Sequence, residues 1–195
     1  MNVYRSILFV VLAAGIAVAQ GKAGIDPMAG NGAVRNDLYT NTHYGFTFKF
    51  PTTWKIVLGP DSIAAQGGCA GEQCRLLTIQ AQSGIGRVEI VARDLPAGTT
   101  ARDQLAKMAE MERAMGFQGG DAPVESAAGE WKLQRVDLQS TTSNGDILET
   151  LMATEAKGDA IFITILTNSR DTLGQLTSAM QATSVAAAKP AQSRN

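Results

Sequence analysis

From Tyr44 to Phe50 every second residue is aromatic: Tyr44, Phe46, Phe48 and Phe50 alternate with Gly45, Thr47 and Lys49. A helix would scatter these rings around its circumference, whereas the two-residue repeat of a strand gathers all four on one face. The chain is thereby committed to a sheet with a strongly apolar face, and such a face needs a second layer to cover it. Pro51 ends the strand, and Pro51-Thr52-Thr53-Trp54 reads as a turn that delivers Trp54 onto the same core. Lys55 to Leu58 follows as a short second strand.

The same period of two returns downstream. Leu77, Ile79 and Ala81 alternate within Arg75 to Gln82, and Val88, Ile90 and Ala92 within Arg87 to Leu95. Ser83-Gly84-Ile85-Gly86 supplies the turn of a hairpin between them. After Pro96-Ala97-Gly98 a helix is predicted, with Thr100 as N-cap and Asp103 completing a capping box. Leu105, Met108, Met111 or Glu112, and Met115 give it an apolar stripe, and Gly116 stops it. Trp131 to Leu138 alternates, Asn144-Gly145 is a strong hairpin-turn dipeptide, and Ile147 to Thr154 returns. Lys157-Gly158-Asp159 turns into Ala160 to Thr167 (AIFITILT), which reads as a fully buried strand. A last helix starts at Ser169, with Leu173, Leu176 and Met180 as its stripe. Hairpin followed by helix thus occurs twice. The predicted class is α/β in the α+β sense: an α-β-α sandwich with a central, mostly antiparallel sheet flanked by helices.

The ends of the chain say where it goes. Arg5 precedes the apolar run Ile7 to Val18, and Ala17-Val18-Ala19 has the small-x-small form of a signal-peptidase site. The run falls short of the ~20 residues a membrane-spanning helix needs. Residues 1–19 therefore read as a secretory signal peptide and the product as exported, periplasmic or secreted, with no transmembrane segment after cleavage. Residues 20–37 are glycine-rich without periodicity and read as a flexible leader. Leu38 to Val185 forms one domain, and residues 186–195 a disordered tail. Cys69 and Cys74, the only cysteines, stand in GGCAGEQCR. In an oxidising compartment they are expected to pair as a structural disulfide worth roughly 2 kcal/mol.

The stretch Leu38-Tyr39 … Tyr44-Gly45-Phe46-Thr47-Phe48-Lys49-Phe50-Pro51-Thr52-Thr53-Trp54 resembles the opening of PsbP-like domains. The later order of hairpin, helix, hairpin, buried strand and C-terminal helix is similar to that superfamily as well. The resemblance implies an α-β-α sandwich and a binding or assembly role without catalytic apparatus. Plant members of the family serve photosystem II and dock through a basic N-terminal extension. The leader here has only Lys22 and Arg35 as basic residues, so that partner is not carried over.

Side-chain inventory points the same way. Lys and Arg number 17 against 18 Asp and Glu, for a net charge of -1, which argues against nucleic acid as a partner. There is no Gly-x-Ser-x-Gly elbow and no phosphate-binding glycine motif. Neither cofactor nor metal is implied, since the chain has one His and two Cys. That residue, His43, has the parity of Gly45, Thr47 and Lys49, which places it opposite the aromatic row and facing solvent. The function expected is a non-enzymatic binding or assembly module whose partner is another envelope protein. The alternative is a carrier of a small ligand or lipid in a pocket between sheet and helix. The candidate ligand or partner surface is the row Tyr44, Phe46, Phe48 and Phe50 with Trp54, together with Met108, Met111 and Met115.

Overall fold

Alternating apolar residues need partners on both strand edges and both strand faces, and the arrangement follows from how each need is met. A computed structural model describes residues 24–69, 71–82, 84–128, 131–143 and 145–179. It is an α+β fold of two antiparallel sheets and three α-helices. The smaller sheet is β1 (Gly32–Arg35), β2 (Leu38–Asn41) and β3 (Phe46–Lys49), in that order. The larger sheet is built from β4 (Trp54–Leu58), β5 (Gln73–Ala81), β6 (Gly86–Asp94), β7 (Val124–Ala128), β8 (Trp131–Thr142), β9 (Gly145–Ala156) and β10 (Asp159–Thr167). Its order is β4-β5-β6-β10-β9-β8-β7, so the last strand in sequence is central. Both predicted hairpins are present as β5/β6 and β8/β9, and β10 pairs with one member of each. Ser83 and Asn144, from the two predicted hairpin turns, lie outside the described residues. Lys157 and Gly158 both take positive φ, 54° and 83°, as a two-residue hairpin turn requires.

Three helices close the layers. Helix α1 (Pro60–Ala65) is a short addition that the glycine-rich stretch around the cysteines concealed. Helix α2 (Ala101–Ala114) has the expected capping box: Thr100 Oγ1 accepts from the Asp103 N–H, and the Thr100 N–H donates to Asp103 Oδ2. Helix α3 (Arg170–Ala179) buries Leu176; Met180, in its predicted stripe, lies outside the described residues. Helix α2 packs across β8, β9 and β10 on one face of the large sheet. The other face is covered by the small sheet together with α1 and α3. Helices flank the large sheet on both faces as expected, with the small sheet sharing the second layer.

The segment expected to be a flexible leader is built into the fold from Gly24 onward; residues 20–23 lie outside the described part. Pro27–Gly30 makes a turn of 3-10 helix, capped by the Asp26 side chain, and β1 pairs with β2. Ile25 and Ala29 are buried. The glycines that read as freedom in fact permit close approach. A Cβ on Gly30 would meet Ile63 at 2.8 Å, and one on Gly32 would meet the Tyr39 ring at 2.6 Å. No local periodicity marks such a segment because its partners are distant: Gly24 N–H donates to Asp94, Ile25 N–H to the Gly71 carbonyl, and Asn41 Nδ2 to the Ala29 carbonyl.

Cys69 and Cys74 are joined, both buried, with Cα atoms 5.2 Å apart. The disulfide ties the loop after α1 to the first turn of β5. Replacing both residues in Cys69→Ser/Cys74→Ser is expected to cost about 2 kcal/mol, or roughly 4–8 °C in Tm for a chain of this size, with the fold retained. Melting curves of oxidised wild type and variant check it; identical midpoints would show that the loop holds without its cross-link.

Candidate functional site

The sequence-flagged aromatic row turns out to be the seam between the sheets. Tyr44, Phe46, Phe48 and Phe50 are all buried, and Trp54 is half-buried. Phe46 meets Tyr39 edge-on at 5.6 Å and Trp131 at 5.2 Å, and Phe48 stacks on Phe50 at 6.5 Å. Only its ends reach the surface. Tyr44 borders a cleft of about 400 Å³ with Trp131, Arg102 and Glu155, and Phe50 and Trp54 border an open one of about 760 Å³ with Val34 and Ile56. The Tyr44 hydroxyl donates to Asp159 Oδ2 at 2.8 Å, and burial, reinforced by that carboxylate, holds its pKa far above the ordinary tyrosine range. Tyr39 is pushed up to about 12 by burial, against the lowering effect of its bond with Asn41. His43 is not on the solvent face of a strand. It sits half-buried in the turn between β2 and β3, where alternation lapses, with its ring edge-on to Tyr44 at 4.6 Å and Nε2 shielded without a hydrogen-bond partner.

The methionine stripe divides. Ala101, Leu105 and Ala109 face the sheet and Met108 is half-buried, but Met111 and Met115 are 58% and 68% exposed. Each helical residue rotates the side chain by about 100°, and the buried line runs through Leu105, Ala109 and Glu112, leaving Met111 and Met115 beyond its edge. Among the alternatives in the sequence, the carboxylate took the inward position.

That carboxylate faces another. Glu149 on β9 has Leu138 and Leu166 as cross-strand neighbours, is 5% exposed, and its Oε2 has no hydrogen-bond partner. Burial, and then the nearby charge of Glu112, raise its pKa to about 7 from an ordinary 4.5, and burial raises Glu112 as well. Arg113, next along the helix, spends its guanidinium on the carbonyls of Gly119 and Gly120. Six residues from Glu149, on the same face of β9, Glu155 accepts a hydrogen bond from the Ala101 N–H at 2.9 Å. The strand therefore offers one carboxylate to each end of α2. Glu155 meets the positive N-terminal end favourably, and Glu149 lies toward the negative C-terminal end.

Among the described residues, helix α2 packs on β8, β9 and β10 and leaves the β4–β6 half of that face without a helix of its own. Register assigns the side chains there. Lys55 lies opposite Gln80, Gln80 opposite Arg87, Arg75 opposite Val91, and Arg93 opposite Ala160, which packs in the α2-side core. Glu89 is shared: Arg75 Nε pairs with one oxygen and Arg87 Nη2 reaches the other at 3.0 Å. The Arg93 guanidinium lies over the Phe162 ring at 5.3 Å. Two arginines thus share one carboxylate, with Arg93 and Lys55 on the same face, in a chain whose net charge is -1. Beside the disulfide this face dips into a cavity of about 430 Å³, walled by Arg75, Glu89, Arg93, Ile63, Cys69 and Cys74. Sequence reasoning passed over these arginines, because they stand at the ordinary polar positions of alternating strands. Their alternation was a signal for one shared face, but not for that face being open.

No protein-family model matches the chain, and no curated protein matches it. Among solved structures it is similar to the cyanobacterial PsbP, CyanoP, from Synechocystis sp. PCC 6803, at 14% identity, with 72% of this chain and 84% of that one covered and a TM-score of 0.47. It is also similar to LpqN of Mycobacterium tuberculosis, described as involved in cell envelope biogenesis, at 9% identity, covering 70% and 79%, with a TM-score of 0.44. A protein from Bacteroides thetaiotaomicron VPI-5482 follows at 11% identity, covering 75% and 48%, with a TM-score of 0.43. A PsbP protein is thus among the structures this chain is similar to. At such identities and TM-scores the likeness assigns neither activity nor partner.

The Glu149 environment sets a pH dependence. Its folded pKa, about 7, lies above its ordinary 4.5, so the fold favours the protonated acid. Stability is expected to be greatest below about pH 4.5 as far as this group is concerned, to fall as pH rises toward 7, and to level off above it. Glu149→Gln should remove that slope and melt higher than wild type at pH 8. Urea midpoints at pH 5 and pH 8 decide it, and parallel pH profiles for the two proteins would sink the idea.

Proposed function

We propose that this protein is a non-catalytic module, exported from the cytoplasm, that binds an envelope protein through the uncovered half of its large sheet. One observation carries the reading: a sheet surface left free by α2 presents Lys55, Arg75, Arg87 and Arg93 on one face, with Glu89 shared between Arg75 and Arg87. Strands fix these side chains without a loop's entropy, and an unbalanced basic patch selects an acidic surface on its partner. Export is supported by the signal-like N-terminus, which lies outside the described residues, and by the closed disulfide. The non-catalytic reading rests on the sequence, which offers one His and no recognisable nucleophile motif.

The Phe50–Trp54 cleft, about 760 Å³ and lined by Val34, Phe50, Trp54 and Ile56 beside the polar Asp37 and Lys55, favours a second reading as a small-ligand or lipid carrier. Cross-linking in the intact envelope separates the two. The wild type should give a discrete protein adduct that is lost on raising salt and in the folded double variant Lys55→Glu/Arg87→Glu. An adduct indifferent to charge reversal would reject the proposed face. A reproducible extra mass in native mass spectrometry, with no adduct, would move the carrier reading into first place.

A further inference from the structure

We propose that the cavity beside the disulfide is a binding pocket for one oxyanion group, a carboxylate or phosphate on a small ligand, with Arg93 as its anchor and Arg75 as its second contact. The proposal deepens the reading of this face as a binding surface and rests on it.

Arg93 and Arg75 both line the cavity, and they are in different electrostatic situations. Arg75 is held by Glu89, which also serves Arg87, so one negative charge is divided between two guanidinium groups. Arg93 shares in neither pair. Its guanidinium is laid over the Phe162 ring, and its Nε is shielded from solvent without a hydrogen-bond partner. Seating over a buried ring restrains the guanidinium in advance, and with Nε shielded its remaining N–H groups are the donors it can offer an oxyanion. Glu89 is the one carboxylate among the residues lining the cavity, and it is already committed. The walls are held by the pairing of β5 with β6, which is broken only by a bulge between Arg75 and Leu77, and by the Cys69–Cys74 link that pins the facing loop. Leu58, Ile63 and Val91 supply apolar contact for the carbon part of a ligand, and Gln66 and Gln73 supply further donors. The volume, about 430 Å³, suits a small organic acid or phosphate ester.

The test is a titration of the oxidised protein at low ionic strength, followed by two-dimensional NMR, with inorganic phosphate, glycerol phosphate and succinate as probes. At least one should bind saturably, with shifts centred on Arg75, Val91, Arg93 and the disulfide loop. Arg93→Met should weaken binding at least about tenfold, from loss of a charge-assisted bidentate contact. Arg93→Lys keeps the charge and the stem but not the fork, and should also lose most of the affinity. That variant guards against misfolding of the first. Lys107→Met, an exposed position on α2 away from the cavity, should change affinity less than about twofold. Three probes without saturable shifts, or equal affinity in Arg93→Met, would overturn the proposal. Binding to phosphatidylglycerol vesicles with none to the free probes would also overturn it, in favour of a membrane surface. Phosphate binding that survives when no envelope adduct forms would leave the pocket standing while the partner reading falls.

Discussion

Everything in this molecule is arranged around β10. It is the last strand in the sequence and the middle strand of the large sheet, hydrogen-bonded to β6 on one side and β9 on the other over nine residues each. Neither hairpin reaches the other without it. Ile161, Ile163 and Ile165 point into the seam with the small sheet, while Ala160 and Phe162 point under α2. A strand covered on both faces has no polar side to alternate with, which is why AIFITILT is apolar almost throughout. Most neighbours in the sheet are consecutive strands, and the β6–β10 pairing is the one that joins residues far apart in sequence, so docking the two halves along it is the non-local step.

The small sheet is joined to this core by aromatic packing and by a buried hydrogen bond from the turn between β2 and β3. Tyr44 at the β2–β3 turn donates to Asp159 at the start of β10, across 115 residues of chain. A buried carboxylate and phenol paired in this way are costly to separate, since each left alone would be a desolvated polar group. The bond therefore sets position, while the rings around Phe46 and Phe48 contribute most of the burial energy. The close glycine contacts at Gly30 and Gly32 bring the 3-10 turn and β1 against the same seam.

On the other face the width of α2 decides the functional geography. One helix covers about two strands' breadth of a twisted sheet, so a seven-stranded sheet with one helix on that face keeps an open half. Beneath the helix the sheet side is mostly apolar, with Glu149 and Glu155 meeting opposite ends of α2 and Gln134 near its N-terminal end. Beyond it the same face is polar and basic, with Phe162 at the boundary serving both regions: apolar contact for α2 and a platform for Arg93. Charge accumulates there at little cost because water solvates the exposed guanidinium groups, with Glu89 offsetting part of their mutual repulsion.

Much of the architecture was legible in the residues alone. Alternation located the strands of both hairpins and β10, Thr100 and Asp103 located the start of α2, and the two cysteines located their own bond, because each is a local rule read within a few residues. What lay beyond that reach was settled by packing. Glycines at 30 and 32 look like slack until Ile63 and Tyr39 come against them. Met111 and Glu112 were equal candidates for the inward position until the helix acquired a rotation against the sheet. The arginines at 75, 87 and 93 were visible as polar positions on one side of their strands. Only the tertiary structure made them a site, because a repeat of two specifies that side chains share a face, whereas the order of strands and the placement of a single helix specify whether that face is buried or free.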